Sequence, residues 1–307
     1  MTPTETYLKT QQIADALGVS VSTIKRWVDE GSIEAIRTSG KHRRVTLASA
    51  LKFARSVEMP VGRLLELAEI PTISAIDDGV CVNLMEALKQ GRAREAHALI
   101  LAAHGTGIGA VGLADRLIRP VMEKVGHGWM ISAWDVYQEH QASQIVASAL
   151  MDLNSRAARA ADAPGPMAIG AAPEGDPYVL PGLLGELVLR EVGWSVHNLG
   201  NNLPLRSLAR AARDYRPRLI FLTASYLADR SRFLQEYAYF YEAASQVGAA
   251  IILGGRAIDP DLRSRLVYAS FGERMAHLAE FARRLLPASG TNPDAAPEYP
   301  GPMDTST

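Results

Sequence analysis

A single cysteine, Cys81, stands among 307 residues. That excludes an intramolecular disulfide and any cysteine-rich zinc site, and it fits a reducing compartment. An excess of charge of one sign is also lacking, since 32 Lys+Arg face 33 Asp+Glu for a net charge of −1. Such a balance argues against a nucleic-acid partner only if the charges are evenly spread. Long apolar runs are missing too. The most apolar stretch, 98–114, is interrupted by His104 and several glycines and is too short to cross a bilayer. The first residues are polar Thr, Gln and Lys where a signal peptide needs an apolar core. A cytoplasmic protein with no membrane partner is expected, and no internal repeat is visible. The remainder, 48% hydrophobic and 21% charged, is ordinary for a soluble globular protein. At roughly 100–200 residues per domain, the length suggests two or three domains.

Charge is in fact uneven. Residues 1–56 hold nine Lys+Arg and five Asp+Glu, an excess of +4, which leaves −5 for the rest. Punctuation divides the chain into 1–57, an expected linker helix within 58–77 (around 61–69), a helical segment 78–163, an alternating strand and helix segment 164–288, and a Pro-, Asp- and Ser-rich tail 289–307 expected to be disordered. The helical segment breaks at Gly91, at Gly105 to Gly109 and at Gly126-His127-Gly128, which suggests four helices in a bundle. Beyond 164, short apolar runs at 167–171, 195–199, 219–222 and 249–253 alternate with amphipathic helices, the pattern of a parallel, doubly wound α/β sheet. The fold class is multidomain.

In the first segment Thr10 is placed to cap a helix through Ile13, Ala14 and Leu17 that Gly18 stops. Ser20 then caps a second helix. Two helices joined this closely make a helix-turn-helix. In the second, Val21, Ile24, Trp27 and Val28 share an inward face, leaving Ser22, Thr23, Lys25, Arg26 and Asp29 outward to meet bases and phosphates. An alternating run at 33–37, a turn at 38–41 and the return His42-Arg43-Arg44-Val45 form a hairpin wing, setting Lys41, His42, Arg43 and Arg44 beside a phosphate backbone. Of these, Lys25 and Arg26 are the expected groove contacts. The segment from Tyr7 to Trp27 with Gly40-Lys-His-Arg-Arg44 resembles the winged helix-turn-helix of MerR-type regulators, which implies double-stranded promoter DNA as a partner.

The helical segment carries Trp129-Met130 and, nine residues beyond the Trp, Glu139-His140. On spacing alone this reads most simply as a core tryptophan and a hydrogen-bonded histidine. The string also resembles the Trp-x9-Glu-His signature of the helical cap in CarH/LitR-like, MerR-type cobalamin photoreceptors. There the Trp and the Glu-His pair enclose the upper face of adenosylcobalamin. In the light-sensing members a His follows the Trp; here it is Met130, so their light-driven bis-histidine capture is not expected.

The α/β segment resembles the cobalamin-binding Rossmann-like (flavodoxin-like) domain of the same family. The family motif Asp-x-His-x-x-Gly aligns with Asp176-Pro-Tyr178-Val-Leu-Pro181, so Tyr178 replaces the cobalt-ligating His and Pro181 the Gly. The Ser-x-Leu mark is Ser225-Tyr-Leu227 and the Gly-Gly mark is Gly254-Gly255, which in the family line the channel for the nucleotide tail. Imidazole is a neutral donor near pH 7, whereas a phenol must lose its proton to bind a metal well. Four readings stay open for the ligand. They are cobalamin without a protein ligand on cobalt, heme ligated by tyrosinate, a linear bilin, and no cofactor at all. Met130 as a soft ligand, His197 at a strand end, and His104 and His127 in glycine-flanked turns are further candidates. Taken together, the resemblance implies a one-component regulator, not an enzyme, acting as a dimer or tetramer; a corrinoid carrier is the competing class.

Overall fold

The computed structural model describes residues 7–37, 43–57, 59, 76–131, 133–160 and 165–286. The expected linker helix and tail, and the hairpin turn with Lys41 and His42, lie outside the described residues. The chain divides into two compact units, 1–103 and 104–307.

The first unit opens with strand β1 (Tyr7–Lys9), helix α1 (Thr10–Leu17) and helix α2 (Val21–Asp29). Strands β2 (Ala35–Arg37) and β3 (Arg43–Thr46) and helix α3 (Leu47–Ser56) follow. Gly18 stops α1 at φ 71°, a left-handed conformation that suits glycine. Ser20 caps α2, its hydroxyl accepting from the Thr23 N–H at 3.1 Å. The cap of α1 differs from expectation: Thr10 is already helical, Lys9 is the capping position, and the Gln12 side chain accepts from the Lys9 N–H at 2.8 Å. A core of Leu8, Ile13, Leu17, Ile24, Ile33, Val45 and Phe53 joins the helices to an antiparallel sheet ordered β1-β3-β2. Helices α4 (Asp78–Lys89) and α5 (Ala93–Ala103) complete the unit, and they pack on each other.

The second unit begins where helical geometry breaks. Residues 104–108 form a π-turn with Gly107 at φ 90°. Short α6 (Gly109–Leu113), a second π-turn, α7 (Arg119–Met130) and the long α8 (Val136–Ala160) follow. The break expected at Gly126-His127-Gly128 does not occur; α7 runs through it and ends at Met130. Its physical reason is Trp134, which is 6% exposed and whose ring fills the space a Gly128 side chain would need, 2.5 Å from an ideal Cβ. Counting the π-turns, 93–130 is a helical run with an 18-residue window of mean hydropathy 1.4, long and apolar enough by composition to cross a membrane. That exceeds what the interrupted 98–114 stretch suggested, although Gly107 bends the run.

Five parallel strands then form one sheet. They are β4 (Met167–Ala171), β5 (Ser195–Asn198), β6 (Leu219–Thr223), β7 (Ala250–Gly254) and β8 (Ser270–Gly272), ordered β5-β4-β6-β7-β8. This is a doubly wound arrangement whose order reverses between β4 and β6, the place where ligands of such sheets bind. Helices α9 (Leu180–Val192), α10 (Leu205–Tyr215), α11 (Arg230–Gln246), α12 (Pro260–Ser264) and α13 (Met275–Leu285) connect and flank the strands. One face buries Ile169, Ile220, Leu222 and Leu253 against α10 and α11. On the other face Phe221 fills the space left by Gly170 of β4 and Gly185 of α9, where ideal Cβ atoms would come within 1.8 and 2.9 Å of its ring. The helical segment is fastened to this layer. The buried Asn154 amide donates to the Leu183 carbonyl at 3.0 Å, and Asp115 accepts from the Met275 and Ala276 N–H groups, both at 3.0 Å.

Candidate functional site

Two sets of residues carry chemistry, one in each unit. In the first, Ser22, Lys25 and Arg26 are exposed on α2, and Thr23 is half-buried in the hydroxyl cluster around Ser20. Arg26 lies 3.9 Å from Glu30. Arg43 is placed differently from a free phosphate contact. Strand alternation puts it on the same side as the buried Val45, where its guanidinium holds both Asp29 oxygens at 2.6 and 2.9 Å. Arg43 thereby clamps the hairpin onto the end of α2, and Asp29 is no longer available to bases. Arg44 stands on the opposite face in register with Lys9. Lys9 is a basic neighbour that sequence reasoning passed over, although the exposed-buried-exposed pattern of β1 is its local signal.

In the second unit the loops that leave β4, β6 and β7 meet. Asp176 is wholly buried. Its Oδ1 accepts from the Tyr178 N–H at 3.0 Å, and its Oδ2 accepts from the Ser225 and Tyr226 N–H groups at 2.6 and 3.2 Å. A carboxylate satisfied by three backbone donors withstands burial, and here it fastens the β4 loop to the β6 loop. The Asp176 carbonyl also accepts from the Asn201 amide at 3.2 Å. Gly255, at φ 103°, closes the third side, since an ideal Cβ there would stand 2.2 Å from the Ala224 carbonyl oxygen. The need for glycine at this point is therefore set by the protein's own backbone. Gly254 accepts from the Ala224 N–H at 2.8 Å, while Leu227 packs into the core facing α10 and α11.

Arg256, next after the glycine pair, joins all three loops. It donates from Nη2 to the Tyr178 hydroxyl at 2.8 Å and from Nε to the Ser225 carbonyl at 3.2 Å, and its guanidinium carbon lies 4.9 Å from the centre of the Tyr178 ring. Nothing in residue type marked it beforehand beyond its place after Gly254-Gly255. Asp176, Tyr178, Ser225, Gly254 and Gly255 thus lie together at the strand ends, with Arg256 beside them.

The other four expected residues stand at the corner between α7 and α8. Trp129 is 50% and Met130 68% exposed, so Trp129 is not a core residue; Trp134 is. Glu139 accepts from the Ser143 hydroxyl at 3.2 Å and lies 3.6 Å from the exposed His140. Ile131, Val136 and Tyr137 are exposed beside them. Of the remaining histidines, His197 packs against Tyr215 at 5.0 Å, and His127 is exposed on α7. His104 shares a 2.5 Å hydrogen bond with Glu191, which also accepts from the Ala110 N–H at 2.6 Å. Burial pushes the Glu191 carboxyl upward, but the bonds from His104 and Ala110 outweigh it and hold Glu191 below the usual carboxylate range. Among the described residues no group of three or more His, Cys, Asp or Glu side chains converges on a metal position.

The donor set at the strand ends offers no metal ligand. The Tyr178 oxygen is bonded to a guanidinium, whose positive charge opposes a cobalt or iron cation at the same atom. Positive indications of a ligand remain: the Thr223 hydroxyl, at the end of β6, is buried without a hydrogen-bond partner. The residues present offer polar groups to the periphery of a ligand and no side chain to its metal.

Comparison with known proteins agrees with this layout. Residues 7–56 match the family model of a helix-turn-helix domain, and residues 81–153 match that of a B12 binding domain. No curated protein sequence matches the chain. Among solved structures, the monomethylamine corrinoid protein of Methanosarcina barkeri is 15% identical, with 69% of this chain covering 100% of that one at a TM-score of 0.56. The methanol:cobalamin methyltransferase complex MtaBC of Methanosarcina barkeri is 18% identical over 71% of this chain and 83% of that one, at a TM-score of 0.36. A cobalamin-binding protein of Desulfitobacterium hafniense DCB-2 is 16% identical over 66% and 97%, at 0.35. The first of these supports the fold, a helical segment followed by a parallel α/β sheet.

Proposed function

We propose that the protein is a one-component transcriptional regulator whose affinity for promoter DNA responds to a tetrapyrrole of the corrinoid class. A helix-turn-helix domain and a B12 binding domain on one chain carry this reading. Residues 1–57 serve as a MerR-type winged DNA head, 78–163 as a four-helix cap and 164–288 as the ligand domain, in a soluble cytoplasmic protein. On the DNA side, Lys25 and Arg26 meet the groove, while Lys9, Lys41, His42 and Arg44 meet the backbone. Arg43 holds the hairpin in place for them. Phosphate contacts of this kind set affinity and make it fall with salt.

On the ligand side, Asp176, Tyr178, Ser225, Gly254 and Gly255 form the floor, with Trp129, Met130, Glu139 and His140 as the opposing wall. Cobalamin, including its adenosyl form, is the first choice of ligand, and Asp176, Tyr178 and Ser225 would hold it without a protein ligand to its metal. Heme or a bilin is the second. When bound, a corrinoid would supply a cobalt centre that responds to light or redox conditions. The protein's part is to favour one assembly when the ligand is present, because a ligand shifts an equilibrium only by its differential affinity for the two states. One head binds DNA weakly, so a dimer or tetramer on repeated half-sites provides the gain.

Gel-shift and size-exclusion measurements on the full chain, with and without adenosylcobalamin, in darkness and after illumination, test the proposal. Ligand-dependent assembly and promoter binding are expected. Monomers that bind no promoter under any condition would sink it. A second reading, a corrinoid carrier without transcriptional function, draws on the fold shared with the monomethylamine corrinoid protein. Tyr178 at the position of the axial His weighs against it, and so does the DNA head. An absorption spectrum distinguishes corrin, heme and bilin at once.

A further inference from the structure

Cations around the strand ends of the second unit are mostly neutralised. Arg230 pairs with Asp259 at 2.5 Å, and Arg232 with Glu174 at 2.6 Å and Glu236 at 3.1 Å. Arg256 differs. Among the described residues its partners are the Tyr178 hydroxyl and the Ser225 carbonyl, and no carboxylate pairs with it. The buried loop carboxylate, Asp176, is committed to three backbone N–H groups. Two of five guanidinium N–H donors are used, and those two bonds, with the ring of Tyr178 against it, hold the group in one orientation at the edge where β4, β6 and β7 end. An oriented, exposed guanidinium with spare donors at these strand ends is built to receive a planar or tetrahedral anion through paired hydrogen bonds.

We propose that Arg256, positioned by Tyr178, reads an acidic group on the rim of the bound tetrapyrrole, either the phosphodiester of a complete corrinoid or a propionate carboxylate. The inference rests on the functional reading above and deepens it. It also gives the tyrosine a purpose: where the family motif places a metal ligand, this chain places a support for a cation. Recognition then moves from the metal to the periphery of the ligand.

The full-length protein would be titrated, by absorbance, with three probes. They are hydroxocobalamin, which carries the phosphodiester; dicyanocobinamide, a corrin without it; and hemin, which carries propionates. For the acidic ligand that binds wild type, Arg256→Ala should weaken affinity about tenfold or more, as expected for loss of a charge-assisted pair. Cobinamide affinity should change less than about twofold, Arg256→Lys should recover part of the loss, and Tyr178→Phe should give a smaller one. Whether the loss falls on hydroxocobalamin or on hemin identifies the acidic group. An unchanged melting temperature in Arg256→Ala separates a lost contact from a lost fold. If wild type binds and Arg256→Ala binds equally well, the proposal alone is overturned. If wild type binds none of the three probes, this proposal and the functional reading both fall.

Discussion

At the strand ends a wholly buried carboxylate and a backbone-locked glycine tie three loops together, whereas at the α7–α8 corner the residues expected to face the same ligand stand largely in solvent. The floor is preorganised, since Asp176, Tyr178, Ser225 and Arg256 already hold one another in place and a ligand need not order them. On the corner, Trp129, Met130, Ile131 and Tyr137 expose apolar surface that only an added surface can bury. A ligand's arrival would therefore change the corner more than the floor. Such a division suits a sensor, with one half that recognises and another whose burial reports.

The contrast between floor and corner is lost first if the floor is loosened. Asp176→Ala removes the acceptor for three backbone N–H groups in a buried place. It should cost about 3–5 kcal/mol, seen as a fall in denaturant midpoint and accompanied by loss of ligand binding. A midpoint within error of wild type would show that the three loops hold without it. Phe221→Ala tests the layer beneath. Its ring occupies the space left by two glycines, so truncation leaves a hole where Gly170 and Gly185 have no side chains to collapse into it. A loss of about 3–4 kcal/mol is expected, and a larger pocket would reveal itself if hydroxocobalamin affinity rose in the same variant.

How much of this was legible in the sequence depends on how local its causes are. Gly18, the Ser20 cap and the inward face of α2 follow from spacing within a few residues, and so does the alternation of strands and helices after residue 164. The departure at Tyr178 was visible because a motif fixes its place. Pairings between distant segments were not visible. Arg43 clamps Asp29 from another element, and β1 becomes a strand only because β3 pairs with it. Gly126 and Gly128 read as a break, yet the helix continues, with the Trp134 ring filling the space beside Gly128. Arg256 looked like any arginine after a Gly-Gly pair until Tyr178 and Ser225 were seen on either side of it.

The junction before α6 sharpens the comparison from a third position. Glu191 holds His104 and the Ala110 N–H at the start of the second unit, beside Gly109, whose ideal Cβ would lie 3.0 Å from the carboxylate. Because the folded-state pKa of Glu191 is lowered, its stabilising contribution is present above the ordinary carboxylate pKa. It is lost as pH falls through the depressed value. Melting curves of wild type and Glu191→Gln should therefore differ at neutral pH and converge on acidification. The gap should be smaller than either floor substitution produces, and curves that stay parallel would remove Glu191 from this role.

The smallest effect is expected at the corner itself, and its smallness is informative. Trp129→Ala removes a large side chain that is half exposed in the last turn of α7. Without ligand, little packing is lost, so stability should change by no more than about 0.5 kcal/mol. With ligand, the same substitution should reduce the ligand-induced rise in melting temperature, because that rise measures binding to the folded state and the indole would be part of the bound surface. A loss of several kcal/mol in the free protein would mean that the corner is already packed against something the exposed indole does not show, and the contrast between a finished floor and an unfinished wall would fail. A ligand-induced rise identical to wild type would instead detach the corner from the ligand and leave its apolar surface for a second copy of the chain. Crosslinking at Met130→Cys in a Cys81→Ser background would then detect that copy directly.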